Sequence, residues 1–494
     1  MKKSWLVATM IFLLIIVMSN CDQTSDPNVD VTETELTETE TDDQHNYFPE
    51  PDKYPDFGYM ISAEDLAKDY PDAEVFKLSQ DYPAQKPGDD QIPDFFDIDF
   101  TDDAHWREYI DAVRDYCFEG MMAAGFDANK NQERNWYHMP FMHWGPQGTE
   151  GFSGLAKEAQ ISPYQLTPAQ KGSHQTYALG YYNEFAGYTL HEMWGDPRNP
   201  NPQATSALAG GGGGFPVGTV IFKLLYTDAD ETEVDYLTNP YTIKGYVTDV
   251  WDSDNRVVKN MQLIQMDFMV RDPRADAFGT GWVFGTFCYN GKLNDGKTGV
   301  ERVKNLVPVG IQYGNDPDVT TNKITAYPPL ETWINPELKE TKINANADEL
   351  PPQHLGWGGR LDGPVDLNTA SCMSCHATAG FPQSTAALVP KEAFIGDRNA
   401  QGSITKLTNV DAPEWKKYYT NIKCGTPYDV DAISCDFSLQ VSLALGYYYD
   451  WKVNEDGKTY ADYQKSGSTP DDDNHPEVAH RGADAHLEAH NLKK

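Results

Sequence analysis

The chain has 494 residues, enough for more than one small domain, and 39% are hydrophobic, which supports a sizeable packed core. Its 75 acidic side chains stand against 39 basic ones, a formal net charge of −36. Such a surface repels phosphate backbones, which excludes nucleic acid as a partner, and suits a soluble body or a dock for a basic protein.

At the start of the chain, Lys2 and Lys3 precede an apolar run from Trp5 to Met18, followed by Ser19-Asn20-Cys21. A positive end and a short apolar stretch match a secretory signal, and the stretch is short for a bilayer span. Cys21 stands where bacterial lipoproteins carry their acylated cysteine, and the segment resembles their signal. The expected product is an exported lipoprotein facing the periplasm or the cell exterior, held at the membrane by its lipid. Plain cleavage and release is the alternative.

Residues 21–46 are acidic and Thr-rich and read as a disordered tether. A mixed N-terminal region follows over 47–209, largely irregular at its start, where Pro, Asp and Tyr are dense. Trp106, Ile110, Val113 and Cys117 recur at helical spacing and predict a helix over Asp102–Ala124. His138 and His143 lie five apart on a Pro-interrupted segment, a poor metal face, and are expected to pack structurally. Five glycines, Gly210–Gly214, read as a flexible link.

Beyond that link the texture turns to β. Val217–Tyr226, Thr242–Trp251, Met261–Val270, Thr280–Tyr289 and the shorter Val307–Tyr313 are rich in Val, Ile, Phe, Thr and Tyr, and most are bounded by turn residues. They predict an antiparallel sheet inside a β-rich domain over 210–380. Two helices are expected at Ala412–Ile422 and Phe437–Tyr449, within a helical segment over 381–470. A polar tail over 471–494 carries His475, His480, His486 and His490; its solvated state is the simpler reading, with a metal pair at His486 and His490 as the other. The fold class is therefore α+β, mainly antiparallel β with flanking helices.

The residues that carry chemistry are Cys372-Met373-Ser374-Cys375-His376. Two thiols separated by two residues reach the two vinyl groups of one haem edge, and the adjacent imidazole then falls under the iron. A thioredoxin-like pair would want a βαβ context, and a structural zinc would want a second short-spaced pair; neither is visible. One covalent haem c is the expected cofactor, with His376 as axial ligand. Export leaves four cysteines, and Cys424 with Cys435 is the easiest disulfide to accept, which leaves Cys117 with Cys288 by elimination. No Met follows Met373 in the sequence, so a sixth iron ligand must come from upstream, from the tail, or from no protein group. His354 is the nearest upstream His and a candidate for it, with a structural role as the alternative. Arg360 is a candidate partner for a haem propionate, against a plain surface position.

Phe215–Lys223, then Met269-Val-Arg-Asp272, then Gly281–Phe287, then the CxxCH pentapeptide resemble, in that order, a known group. It is the mainly β cytochromes comprising the lysine-crosslinked hydroxylamine oxidases and the β form of cytochrome c prime. The resemblance covers Phe215–His376, about a third of the chain, and implies an open distal iron face, with Lys223 at the crosslinking position. Electron transfer to a redox partner protein is the first functional expectation. A haem enzyme oxidising a small nitrogen or oxygen compound, and a lipoprotein binding or sensing a small gas, are the alternatives.

Overall fold

The computed structural model describes residues 63–71, 73, 76–142, 149–197, 199–207, 213–248, 256–293, 296–320, 329–338, 355–367, 369–382, 396–398, 404–407 and 413–456. Cys21, His143, His354 and the His-bearing tail lie outside these residues. Six helices are described: α1 (Ala63–Asp69), α2 (Trp106–Phe118), α3 (Glu184–Trp194), α4 (Cys372–Ala377), α5 (Pro413–Tyr418) and α6 (Leu439–Asp456). No helix among the described residues is long and apolar enough to cross a membrane.

The centre is one antiparallel sheet of eight strands: β1 (Ala156–Ile161), β2 (His174–Tyr182), β3 (Val220–Thr227), β4 (Thr242–Thr248), β5 (Arg256–Arg271), β6 (Trp282–Tyr289), β7 (Leu306–Gln312) and β8 (Thr332–Ile334). Their spatial order is β1-β2-β3-β5-β6-β7-β8, and β4 pairs with the first half of β5. The fold is α+β, as its strand-rich middle and flanking helical patterns predict. The expected division at residue 210 does not hold within the sheet. Strand β2 lies before the glycine run and pairs with β3 after it through seven residue pairs, from Thr176↔Thr227 to Tyr182↔Ile221. Leaving β2 unpaired would expose a row of backbone donors and acceptors, so the sheet closes across the link.

Period-two alternation sorts the strands onto two cores. On β6, Val283, Phe287 and Tyr289 enter the first core, and Trp282, Phe284 and Cys288 enter the second. The first core is covered by α2, whose Trp106, Tyr109, Ile110, Val113 and Cys117 all bury. The second takes α3 and α6, through Leu190, Met193, Trp194, Val441, Ala444 and Leu445, together with Met373 and Ala377 of α4. Gly285 is required by a close approach, since a Cβ there would sit 2.1 Å from the Phe268 ring.

The expected cysteine pairs are not formed, and for Cys117 and Cys288 the two-sided sheet is the reason. Cys117 is a free thiol in the first core, whereas Cys288 lies in the second. Cys424 and Cys435 are free, buried thiols, and their N–H groups donate to separate partners, Thr280 O at 3.0 Å and Ala379 O at 3.1 Å. Burial pushes both thiols up from the usual range, so they act as small apolar side chains.

An ion-pair network ties the start of β2 to the segments following β3 and to β5. His174 Nδ1 lies 3.3 Å from Asp228 Oδ1, His174 Nε2 2.7 Å from Glu233 Oε2, and Lys259 Nζ 2.9 Å from Asp228 Oδ2. Burial works against the Asp228 carboxylate, yet His174 and Lys259 outweigh it and hold it down to about 2. The unfolded value is about 3.9, so at about 1.4 kcal/mol per pH unit the network contributes about 2.6 kcal/mol. That contribution is complete above the unfolded value and is lost as pH falls through the folded one. Urea unfolding at neutral and at strongly acid pH checks this: the stability difference between wild type and Asp228→Asn is expected to shrink by about 2.6 kcal/mol. An unchanged difference contradicts it.

Candidate functional site

Helix α4 begins because Ser371 caps it. Ser371 Oγ accepts the Ser374 N–H at 3.2 Å, and Ser374 Oγ accepts the Ser371 N–H at 3.0 Å, a reciprocal cap that satisfies two otherwise orphaned donors. Gln312 on β7, fully buried, adds a tether: its Oε1 accepts the Met373 N–H at 3.0 Å, and its Nε2 donates to Ser371 Oγ at 3.4 Å. The short helix is thus pinned to the sheet.

In this helix Cys372, Cys375 and His376 stand at i, i+3 and i+4, a single helical face. All three are part-exposed, while Met373, Ser374 and Ala377 are buried behind them. That face opens into a cleft of about 200 Å³, which all three residues line. Apolar walls come from Ile221, Phe268, Met269, Phe284, Leu439 and Leu443. Thr286 Oγ1 lies 3.7 Å from Cys372 Sγ, and the Phe284 ring centre is 5.0 Å from that of His376.

His376 Nδ1 lies 2.7 Å from Phe437 O. A carbonyl can only accept, so Nδ1 carries the proton and Nε2 keeps its lone pair. Burial first, then the Lys223 charge, hold the imidazole down at about 4, with the Phe437 bond opposing. The ring is therefore neutral at ordinary pH. The carbonyl is aimed by an unusual turn: Asp436 and Phe437 have φ of 47° and 64°, a left-handed backbone that non-glycine residues rarely adopt. Asp436 anchors it by accepting the Phe215 N–H at 2.6 Å, the Trp282 Nε1–H at 3.0 Å and the Gly425 N–H at 2.8 Å.

The polar wall of the cleft comes from both sides of the sheet order. Lys223 on β3 stands opposite Asp267 on β5, and its Nζ is 3.6 Å from Glu158 Oε1 on β1. Burial pulls the Lys223 ammonium down, but Glu158, Asp267 and Asp366 outweigh it and the net shift is upward. Asp267 accepts from Thr286 Oγ1 at 2.8 Å and from Gln265 Nε2 at 2.9 Å and 3.0 Å, and the same amide donates to Asp366 at 2.8 Å. Burial, then the Asp366 charge, push the Asp267 carboxyl well above the usual carboxylate range against Lys223, Gln265 and Thr286. Asp362 is raised further, again chiefly by burial, and its Oδ2 is a buried atom with no hydrogen-bond partner.

These residues fit a covalently held porphyrin. Two thiols and one free imidazole nitrogen share a face, the cleft is apolar beside them, and an orphaned carboxyl oxygen lines it. When bound, the group supplies reversible one-electron chemistry, and the chain holds, orients and shields it. Among the described residues no cluster of three or more His, Cys, Asp or Glu side chains is arranged to hold a bare metal ion.

The structure brings Lys223 to the same cleft as the pentapeptide. Arg360 is corrected on both expectations. It neither reaches the cleft nor lies at the surface: it is fully buried, donating to Asn315 O at 2.7 Å, Trp357 O at 2.8 Å, Asp316 O at 2.7 Å and Val319 O at 3.1 Å. Its fork is consumed by backbone carbonyls, which leaves little to offer a propionate. Sequence reasoning did not single out Asp267, Asp362, Asp366, Glu158 or Phe437. Asp267 had a signal, a carboxylate inside the otherwise uncharged run Met261–Val270. Comparison with protein-family models, with curated proteins and with solved structures gives no match.

Proposed function

We propose that the chain is an exported c-type cytochrome with one haem on Cys372 and Cys375 and His376 on the iron. The observation that carries this is the single face on which two thiols and a neutral, carbonyl-oriented imidazole open into one cleft. The carbonyl bond fixes the tautomer and raises ligand basicity, as partners of metal-bound histidines do.

Three roles suit such a centre: electron transfer, oxidation of a small nitrogen or oxygen compound, and gas binding. The cleft favours small-molecule oxidation, with electron transfer as the step that removes the electrons. Carboxylates with raised proton affinity, Asp267 and Asp362, line it beside Lys223, and oxidation of an N–H or O–H compound needs groups that accept its protons. One observation favours a plain electron carrier: Met269 is the single thioether among the described lining residues and, set on the iron, would close the sixth position.

Mass spectrometry and electron resonance of the purified, full-length mature chain test this. One covalent porphyrin with high-spin ferric iron is expected. A chain without porphyrin mass overturns the haem reading. A six-coordinate low-spin centre, turned high-spin by Met269→Leu, favours the carrier over the enzyme.

A further inference from the structure

We propose that Asp436, cradled by Gly214, is a positioning residue for the iron: it holds the Phe437 carbonyl on His376 Nδ1 and so sets the reduction potential. The inference rests on the haem attachment proposed above and adds the group that decides how strongly the imidazole donates.

A backbone carbonyl holds an imidazole firmly only if its own segment is held. Asp436 and Phe437 have φ of 47° and 64°, and side-chain-bearing residues keep such a conformation only where their surroundings over-determine it. The Asp436 carboxylate does so here. Its Oδ1 accepts the Trp282 Nε1–H at 3.0 Å and the Gly425 N–H at 2.8 Å, and its Oδ2 accepts the Phe215 N–H at 2.6 Å. Three segments far apart in sequence thus meet on one buried side chain. The Asp436 N–H is used as well, donating to Ser434 Oγ at 3.1 Å. Phe437 is also fixed through its ring, whose centre is 6.5 Å from that of Trp282 and 6.2 Å from that of Phe284, the ring beside His376.

The five-glycine run acquires a purpose at its end. Gly214, its last member, has φ of 90°, and a Cβ there would stand 2.6 Å from Asp436 Oδ2 and 3.6 Å from Gly425 Cα. The first of these contacts is closer than carbon and oxygen allow, and three N–H donors leave the carboxylate no free direction in which to yield. The missing side chain is therefore a condition for the position of Asp436. An imidazole that gives its Nδ1–H to a carbonyl is the more basic ligand and favours ferric iron. Loosening the turn weakens that bond and raises the potential.

Two variants of the full-length holoprotein separate position from charge. Asp436→Asn replaces one acceptor oxygen with an amide NH2 and also removes a negative charge. Gly214→Ala changes no charge and displaces the carboxylate. In both, the Nδ1 proton, followed by nuclear magnetic resonance of the cyanide-bound ferric form, is expected to exchange with deuterium about tenfold faster, as loss of one hydrogen bond implies. A tenfold weaker preference for ferric iron moves a one-electron couple up by about 59 mV, and a rise of that order is expected in both. A rise in Asp436→Asn alone, with exchange unchanged, marks a charge effect and overturns the positioning role. Unchanged potential and exchange in both haem-bearing variants overturn it too. Should neither variant retain haem, the wild type decides: its Nδ1 proton must exchange slowly, and exchange as fast as in a haem peptide open to water overturns the inference. Each of these results leaves haem attachment standing, whereas a chain with no covalent porphyrin overturns both readings.

Discussion

Serine at both Cys372 and Cys375 is expected to give a folded, exported chain whose denatured form retains no porphyrin and shows no haem stain. Thioether bonds survive denaturation, whereas axial ligation by one imidazole does not, so covalent retention reports on the sulfur atoms alone. The effect is all-or-none because both sulfurs leave together, while each serine preserves the size and the helix start. Neither side chain caps α4; that task belongs to Ser371 and Ser374, and the tether to Gln312 is through Met373 and Ser371. The fold therefore survives the change, and near-wild-type far-ultraviolet circular dichroism is the control. Stain that persists in the double variant places the covalent bond elsewhere.

The second large effect is expected at Arg360. Arg360→Met keeps an unbranched side chain but leaves four buried carbonyls, those of Asn315, Asp316, Val319 and Trp357, without the guanidinium they now share. Each stranded group costs about 1–3 kcal/mol before relaxation, and the stack over Tyr419, at 4.1 Å from the ring centre, is lost as well. A loss of at least about 3 kcal/mol in urea unfolding is expected. Arg360→Lys recovers little, since one ammonium cannot span the fork. The haem spectrum of either variant should match wild type where it remains folded. A stable variant with a shifted haem potential would restore the propionate role.

Much of the sheet was legible in the sequence because its middle strands are buried on both faces and read as apolar runs. Predicted and observed limits nearly coincide at Thr280–Tyr289 against β6 and Val307–Tyr313 against β7. Strand β1 was hidden for the opposite reason: its sequence, AKEAQI, has helix-forming composition, and its strand state is imposed by pairing with β2. Strand β5 was read short because Arg256, Lys259 and Asn260 break up its first half, yet that stretch pairs with β4. The motif face could be read from spacing. Its carboxylate wall could not, because Glu158, Asp267, Asp362 and Asp366 meet only through sheet register and a distant loop. Arg360 misled for a related reason: a lone arginine near a haem motif in sequence carries no information about which carbonyls the fold will bring to it.

The Phe437 carbonyl that holds His376 belongs to a segment sixty-one positions further along the chain. During synthesis the CxxCH pentapeptide therefore emerges before the turn that sets its imidazole. On the proposed haem reading, attachment by the two sulfurs would precede the setting of the imidazole, which waits for the turn before α6 to dock. A carboxyl-terminal truncation before Asp436 would thus separate two properties joined in the intact protein, being coloured and being correctly tuned.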